Sequence, residues 1–386
     1  MTRLRAARAL IGGAVVGPVV LELAGARIRT VRPARDDDVV DVDLADGMLS
    51  AGLLDLQVNG AFGADVAAAD GAAWRTLLAG LATHGITGVQ PTVITAPLPE
   101  LVASLERIGR ARDAFADEPV ARVLGAHAEG PFLSPARAGA HRAEWLLAPT
   151  PAHIDALVSD PGAHRALRTV TLAPELPGAL EAVRRLTREG VVVAVGHSDA
   201  TAAQVHAAGD AGATMTTHVF NAQRPLTARE PGVPGAVLVD DRFFVGTIID
   251  GRHLDPRVVS LVMTAAGRRA VGVSDAIVTA GLAPGEWHDF GGQPVANDDT
   301  GLGRRPDGTI AGAGVVLDEG VRRMIAAGLD PASVLAACTE NAARSLGRTD
   351  IGHLSEGALA DLVWWDAMWH PSRVWIGGRA LVSGSR

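Results

Sequence analysis

Five residues able to bind a metal or move a proton stand where apolar runs end. Glu129 lies in His127-Ala128-Glu129-Gly130-Pro131, His197 in Gly196-His197-Ser198-Asp199, and His218 directly after Thr214–Thr217. His253 closes Asp250-Gly251-Arg252-His253, and Asp275 sits in Ser274-Asp275-Ala276. Zinc takes carboxylate oxygen and imidazole nitrogen at about 2.0–2.2 Å, and a catalytic zinc keeps three protein ligands and one open position. Glu129, His197 and His218 form such a set. A cation held there lowers the pKa of water to about 7, which gives a nucleophile at neutral pH. Hydrolysis then needs a carboxylate to take the water's proton and pass it to the leaving group. Asp275 is the candidate. No residue of the chain is Lys or Tyr, so the 35 basic residues are all Arg and proton transfer falls to His, Asp, Glu or Cys. The missing lysine excludes P-loop, Schiff-base and pyridoxal-phosphate chemistry, and a carboxylated lysine bridging two metals.

Such residues need a scaffold that brings distant strand ends together. From about residue 50 apolar strands alternate with amphipathic helices. Strand candidates are Leu53–Val58, Thr87–Ile94, Val120–Ala126, Arg168–Leu172, Val191–Val195, Thr214–Thr217, Phe243–Ile249 and Ala270–Val273. Helices are expected at Ala72–His84, Leu98–Ala116, Leu180–Glu189, Ala200–Ala208, Pro256–Ala266, Leu317–Gly328 and Pro331–Leu346. About eight strand–helix units predict an α/β fold with a closed (β/α)₈ TIM-like barrel, whose active site lies at the C-terminal strand ends. His197 and His218 are 21 residues apart, one unit, so their strands are neighbours. Residues 1–48 read as short strands rather than a secretory signal, because Gly12, Gly13, Gly17, Pro18 and Glu22 interrupt the apolar run. The chain end returns to strand texture at Ala360–Trp365, Arg373–Ile376 and Arg379–Val382, with a Gly377-Gly378 turn. A small β-sandwich domain of 1–50 plus 352–386 is therefore expected beside a barrel domain of 51–351. The Gly/Pro/Asp-rich segment 281–309 reads as a long loop over the site.

Composition narrows the function. The chain has 386 residues, 48% hydrophobic and 20% charged, enough apolar material for a large core. A net charge of −8 with no basic stripe argues against nucleic acid as partner. One cysteine excludes an intrachain disulfide and a Cys-rich zinc site. No run is long and unbroken enough to span a membrane, and a cytoplasmic location is expected. Two further residues carry open readings. His127 either orients a ligand of the metal or packs in the core. Glu175 in Leu172-Ala173-Pro174-Glu175 either shapes the rim or forms a buried ion pair.

These motifs, in this order, with Asp55-Leu56-Gln57-Val58-Asn59-Gly60, Thr217-His218-Val219-Phe220-Asn221-Ala222, Arg229-Glu230-Pro231-Gly232 and Gly357-Ala358-Leu359-Ala360-Asp361-Leu362-Val363, resemble the N-acetylglucosamine-6-phosphate deacetylases of the amidohydrolase superfamily. The resemblance covers nearly the whole chain. It implies a distorted barrel with a small β-sandwich, removal of an acetyl group from a phosphosugar, and a homodimer. It implies Glu129, His197 and His218 as metal ligands, Asp275 as base and then acid, and His141 as the group polarising the acetyl carbonyl. It implies substrate contacts at Ala140, His141, Asn221, Ala222, Arg229, Asp250, His253, Ile310, Ala311 and Gly312, with Arg229 reaching a neighbouring subunit. Gln57 and Asn59 stand where many amidohydrolases carry a His-x-His pair, so one divalent metal per site, zinc, is expected. Gln223 stands where Met often follows Asn-Ala, and Ile310–Gly314 where Ser-rich variants are usual. These departures bear on the sugar or phosphate preference. An N-acetylgalactosamine 6-phosphate deacetylase, a cyclic amidase and a non-catalytic sugar-phosphate sensor are the rival readings.

Overall fold

The computed structural model describes residues 1–381. Eight parallel strands build a barrel: β1 Leu53–Val58, β2 Ile86–Ile94, β3 Ala126–Glu129, β4 Leu167–Leu172, β5 Val192–Val195, β6 Met215–Thr216, β7 Phe244–Ile248 and β8 Ala270–Val273. They hydrogen-bond in chain order from β1 to β8. The seam between β8 and β1 has no regular ladder. A single bridge joins Val58 to Ala276. Around it Asp275 N–H donates to Gln57 O at 3.0 Å and Asn59 N–H to Ala276 O at 2.7 Å. The buried Asp55 carboxylate completes the seam, accepting from Ser274 Oγ at 2.5 Å and Ser274 N–H at 3.1 Å.

The outer helices follow from apolar spacing and caps. Leu98–Ala114 buries Leu101, Leu105 and Ile108 on one face. Ala202–Ala211 starts two residues later than expected because Thr201 is its N-cap, paired with Gln204 in a capping box. Pro331–Leu346 is two helices, Pro331–Ala337 and Glu340–Ser345, because Thr339 leaves helical geometry and its hydroxyl bonds Leu335 O at 2.7 Å. Two short helices, Pro151–Val158 and Pro161–Ala166, were not expected; Thr150 and Asp160 cap them.

Residues 281–309 are not an open loop. His288–Phe290, Gln293–Asn297, Leu302–Arg304 and Ile310–Ala313 form an antiparallel four-stranded sheet. Its first hairpin turns through Gly291 and Gly292, both at positive φ, the geometry a two-residue hairpin requires. These strands are short and turn-rich, so composition masks them.

Both chain ends meet beside the barrel. One sheet holds Thr2–Ala6, Val19–Ala24, Arg27–Pro33 and Val42–Leu44. The other joins Ala9–Ile11, Ala14–Val16 and Met48–Ala51 to Leu362–Trp365, Pro371–Ile376 and Arg379–Ala380. Leu4, Leu21, Ile28, Leu49, Leu362 and Trp375 share one core across the two sheets, giving a sandwich. The last expected strand runs past Leu381, and its end lies outside the described residues. Among the described residues, no helix is long and apolar enough to cross a membrane.

Candidate active site

The strand ends deliver the polar residues to one cavity of about 360 Å³. Glu129 is the last residue of β3. His197, His218 and Asp275 each lie two residues beyond β5, β6 and β8. All three adopt positive φ, 45°, 24° and 55°. Left-handed backbone at non-glycine residues costs roughly 1–3 kcal/mol each and persists where surrounding contacts over-determine it.

Three ligand atoms converge. His218 Nε2 lies 2.9 Å from Glu129 Oε1, His197 Nε2 lies 3.2 Å from the same oxygen, and the two nitrogens are 3.2 Å apart. Donor atoms about 2.0–2.1 Å from one tetrahedral divalent metal are spaced about 3.3 Å, and these three separations come close to that spacing. His197 Nδ1–H donates to Arg137 O at 2.9 Å, which fixes the ring so that Nε2 is the nitrogen facing Glu129. Burial pushes the Glu129 carboxyl up, but hydrogen bonds from His197 and His218 hold it well below the usual range. Burial disfavours charge on His218, yet the hydrogen bond and charge of Glu129 outweigh it and raise its pKa. A positive charge is thus favoured between these groups. Glu129, His141 and His197 also present ligand atoms within 4.8 Å of one another. His141 fits a coordination sphere less well than His218: its Nε2 is 4.0 Å from Glu129 Oε2.

Thr95, at the end of β2, orients His141. Its amide donates to Nδ1 at 3.3 Å and its hydroxyl lies 2.9 Å from the same nitrogen. With Nδ1 accepting, the proton sits on Nε2. Burial, then the neighbouring His197, lowers the His141 pKa to about 3, so the ring is a neutral donor. Asp275 is held by two amides. Gln57 Nε2 at 3.0 Å and Asn59 Nδ2 at 2.9 Å both donate to Oδ1, leaving Oδ2 free of them. Gln57 Nε2 also reaches Glu129 Oε1 at 3.2 Å. Burial, then the charge of Glu129, raises the Asp275 pKa well above the carboxylate range.

Ala140, His141, Asn221, Ala222, His253, Ile310, Ala311 and Gly312 line the cavity. Asp250 lies behind the wall and accepts from His253 Nδ1 at 2.7 Å. Arg229 is exposed and off the cavity of its own chain. Glu175 forms no ion pair among the described residues; it braces the turn after His197, accepting from Ser198 Oγ at 2.7 Å and Asp199 N–H at 2.6 Å. His127 contacts none of the converging groups. Its ring bonds Thr171 at 2.7 Å and Thr92 at 3.3 Å in the polar barrel interior, where burial lowers its pKa to about 4. Sequence reasoning missed Thr95 and Arg137. Thr95 was open to the same strand-end rule; Arg137 acts through its carbonyl, which no motif marks.

Residues 48–381 match the model of the amidohydrolase family. An N-acetylgalactosamine-6-phosphate deacetylase of Escherichia coli O157:H7 is 35% identical over 334 residues, 86% of this chain and 87% of that one. An N-acetylglucosamine-6-phosphate deacetylase of Vibrio furnissii is 32% identical over 337 residues, 86% of this chain and 82% of the relative. The crystal structure of N-acetyl-D-glucosamine-6-phosphate deacetylase from Mycobacterium smegmatis superposes with a TM-score of 0.92 at 31% identity, covering 99% of this chain and 100% of that chain. Fold, match length and shared identity agree, and the chain belongs to the amidohydrolase family.

Proposed function

We propose that the chain hydrolyses the acetamide of N-acetylglucosamine 6-phosphate to glucosamine 6-phosphate and acetate. The observation that carries this reading is the convergence of Glu129, His197 and His218 beside Asp275 in one cavity. These three side chains would hold one divalent metal, zinc by their mixed oxygen and nitrogen donors. When bound, such a cation polarises a carbonyl and lowers the pKa of water. Asp275 Oδ2 takes a proton from the attacking water and delivers it to the amine nitrogen as the C–N bond breaks. His141 Nε2–H donates to the acyl oxygen as charge develops there. Gln57 and Asn59 keep the Asp275 carboxylate in register. The Gln57 amide lies between Glu129 and Asp275, where a second cation would need better ligands, so one metal per chain is expected.

Asn221, Ala222, His253 and the 310–312 strand form the sugar-phosphate wall, with Asp250 steering His253. Exposed Arg229 acts on substrate only if a second copy presents it, so the working unit in this reading is a homodimer. The division into 1–50 with 352–386 and 51–351 leaves the whole site on the barrel. A cytoplasmic location fits a small-molecule enzyme whose one cysteine, Cys338, is buried and free.

A second reading changes only the sugar. The relative at 35% identity is named for the galacto epimer, and Arg229 does not distinguish epimers. Acetate release should be measured with N-acetylglucosamine 6-phosphate, its galacto epimer and unphosphorylated N-acetylglucosamine, with chelator and with zinc restored. Turnover of the gluco phosphate that chelation abolishes and zinc restores is expected. Turnover of the galacto phosphate alone moves the substrate and keeps the chemistry. No acetate from any of them, with metal bound, overturns the deacetylase reading in favour of a sensor.

A further inference from the structure

Every histidine at the site except one has its ring fixed through the second nitrogen. His197 Nδ1 bonds Arg137 O, His141 Nδ1 bonds Thr95, and His253 Nδ1 bonds Asp250. His218 Nδ1 is buried and has no partner. The placement of its ring therefore depends on the backbone that carries it. That backbone is the turn 217–223 after β6, whose ladder is the shortest of the barrel at two residues. Within the turn His218, Phe220 and Ala222 adopt positive φ of 24°, 74° and 48°, and none of them is glycine. Something must over-determine so strained a path.

Gln223 closes it. Its side chain is buried, and the amide reaches back across the turn. Oε1 accepts from Phe220 N–H at 3.1 Å, and Nε2 donates to Thr217 O at 2.9 Å and to Thr216 Oγ1 at 3.3 Å. Both Nε2 hydrogens and one Oε1 lone pair are used. The backbone around it is pinned to the turn that carries His197: Ser198 N–H donates to Ala222 O at 3.2 Å and Arg224 N–H to Ser198 O at 2.9 Å. A methionine offers neither donor nor acceptor to the Phe220 amide and the Thr217 carbonyl. A glutamate keeps the shape but sets an oxygen against the Thr217 carbonyl. In this chain the amide supplies the bonds that close the turn.

We propose that Gln223 is a positioning residue. By locking the turn it sets His218 Nε2 against Glu129 and His197, and it sets Asn221 and Ala222 in the cavity wall, so metal and substrate are tuned together. This rests on the reading of Glu129, His197 and His218 as metal ligands.

Gln223→Met and the isosteric Gln223→Glu test it, each against the wild-type full-length protein. Zinc affinity is read by chelator competition, the site by the visible spectrum with Co²⁺ bound, and the turn by hydrogen exchange at the Phe220 amide. Groups that orient a ligand are worth about 10–100-fold in metal affinity or activity. Both variants are expected to bind zinc about ten- to a hundredfold more weakly, to alter the Co²⁺ spectrum, to exchange the Phe220 amide faster, and to raise KM as well as lower kcat on the zinc-saturated enzyme. Melting temperatures separate this from a loss of fold. If stability alone falls while zinc affinity, spectrum and KM hold, Gln223 only stabilises the fold and the proposal is overturned. A wild-type protein that binds no zinc or Co²⁺ overturns the ligand reading itself; that is read before any variant is made.

Discussion

His141 bears the sharpest ambiguity among the residues. It lies within reach of Glu129 and His197 as a third ligand, yet its hydrogen bonds with Thr95 point to a neutral Nε2–H donor. The two roles predict different losses. As a donor to the developing oxyanion, His141 removed by His141→Ala is expected to cost about 10²–10³ in kcat with metal content unchanged. Metal analysis beside turnover decides it: loss of the metal makes His141 a ligand, and unchanged kcat removes it from the chemistry. That Glu129, His197, His218 and Asp275 meet in one cavity was legible because each lies just past a predicted strand and is of a type that hydrolysis needs. The tautomers were not, since they depend on Arg137 O and Thr95, one a backbone atom and one a residue far away in sequence.

Among the elements, the β8–β1 seam positions the base. No regular ladder runs there, and the buried Asp55 carboxylate holds Ser274, the residue before Asp275. Burial pushes Asp55 from its ordinary 3.8 up to about 7, against the hydrogen bonds from Ser274 that favour the charged form. The folded state therefore holds this proton more tightly than the unfolded chain. The stability from Asp55 is full below about pH 4 and is lost as pH rises toward 7. Urea unfolding of metal-free protein across this window should show wild type losing stability relative to Asp55→Asn as pH climbs. Parallel curves for the two proteins would place the Asp55 pKa near its ordinary value. Strand order was readable from the alternation of apolar strands and amphipathic helices. The antiparallel sheet within 288–313 was not, because its strands are three to five residues long and glycine, proline and aspartate dominate its turns. The break at Thr339 was hidden as well, since its backbone leaves helical geometry where the apolar pattern continues.

At the scale of the whole molecule, the chain ends share one sandwich and the barrel carries the chemistry. An Arg122–Asp361 pair at 2.9 Å joins the barrel's edge to the C-terminal segment entering that sandwich. The strand texture of both ends made this arrangement legible, while the cavity wall was readable only through the family resemblance. The central claim is that Glu129, His197 and His218 hold one metal while Asp275 moves the proton. The most direct measurement compares Asp275→Asn with wild type for metal content and acetate release on the same preparations. General acid–base catalysis contributes typically about 10²–10⁴-fold. The account predicts one metal per chain in both proteins and a loss of at least that size in the variant. A variant that keeps wild-type turnover, or that loses its metal together with its activity, would contradict the account.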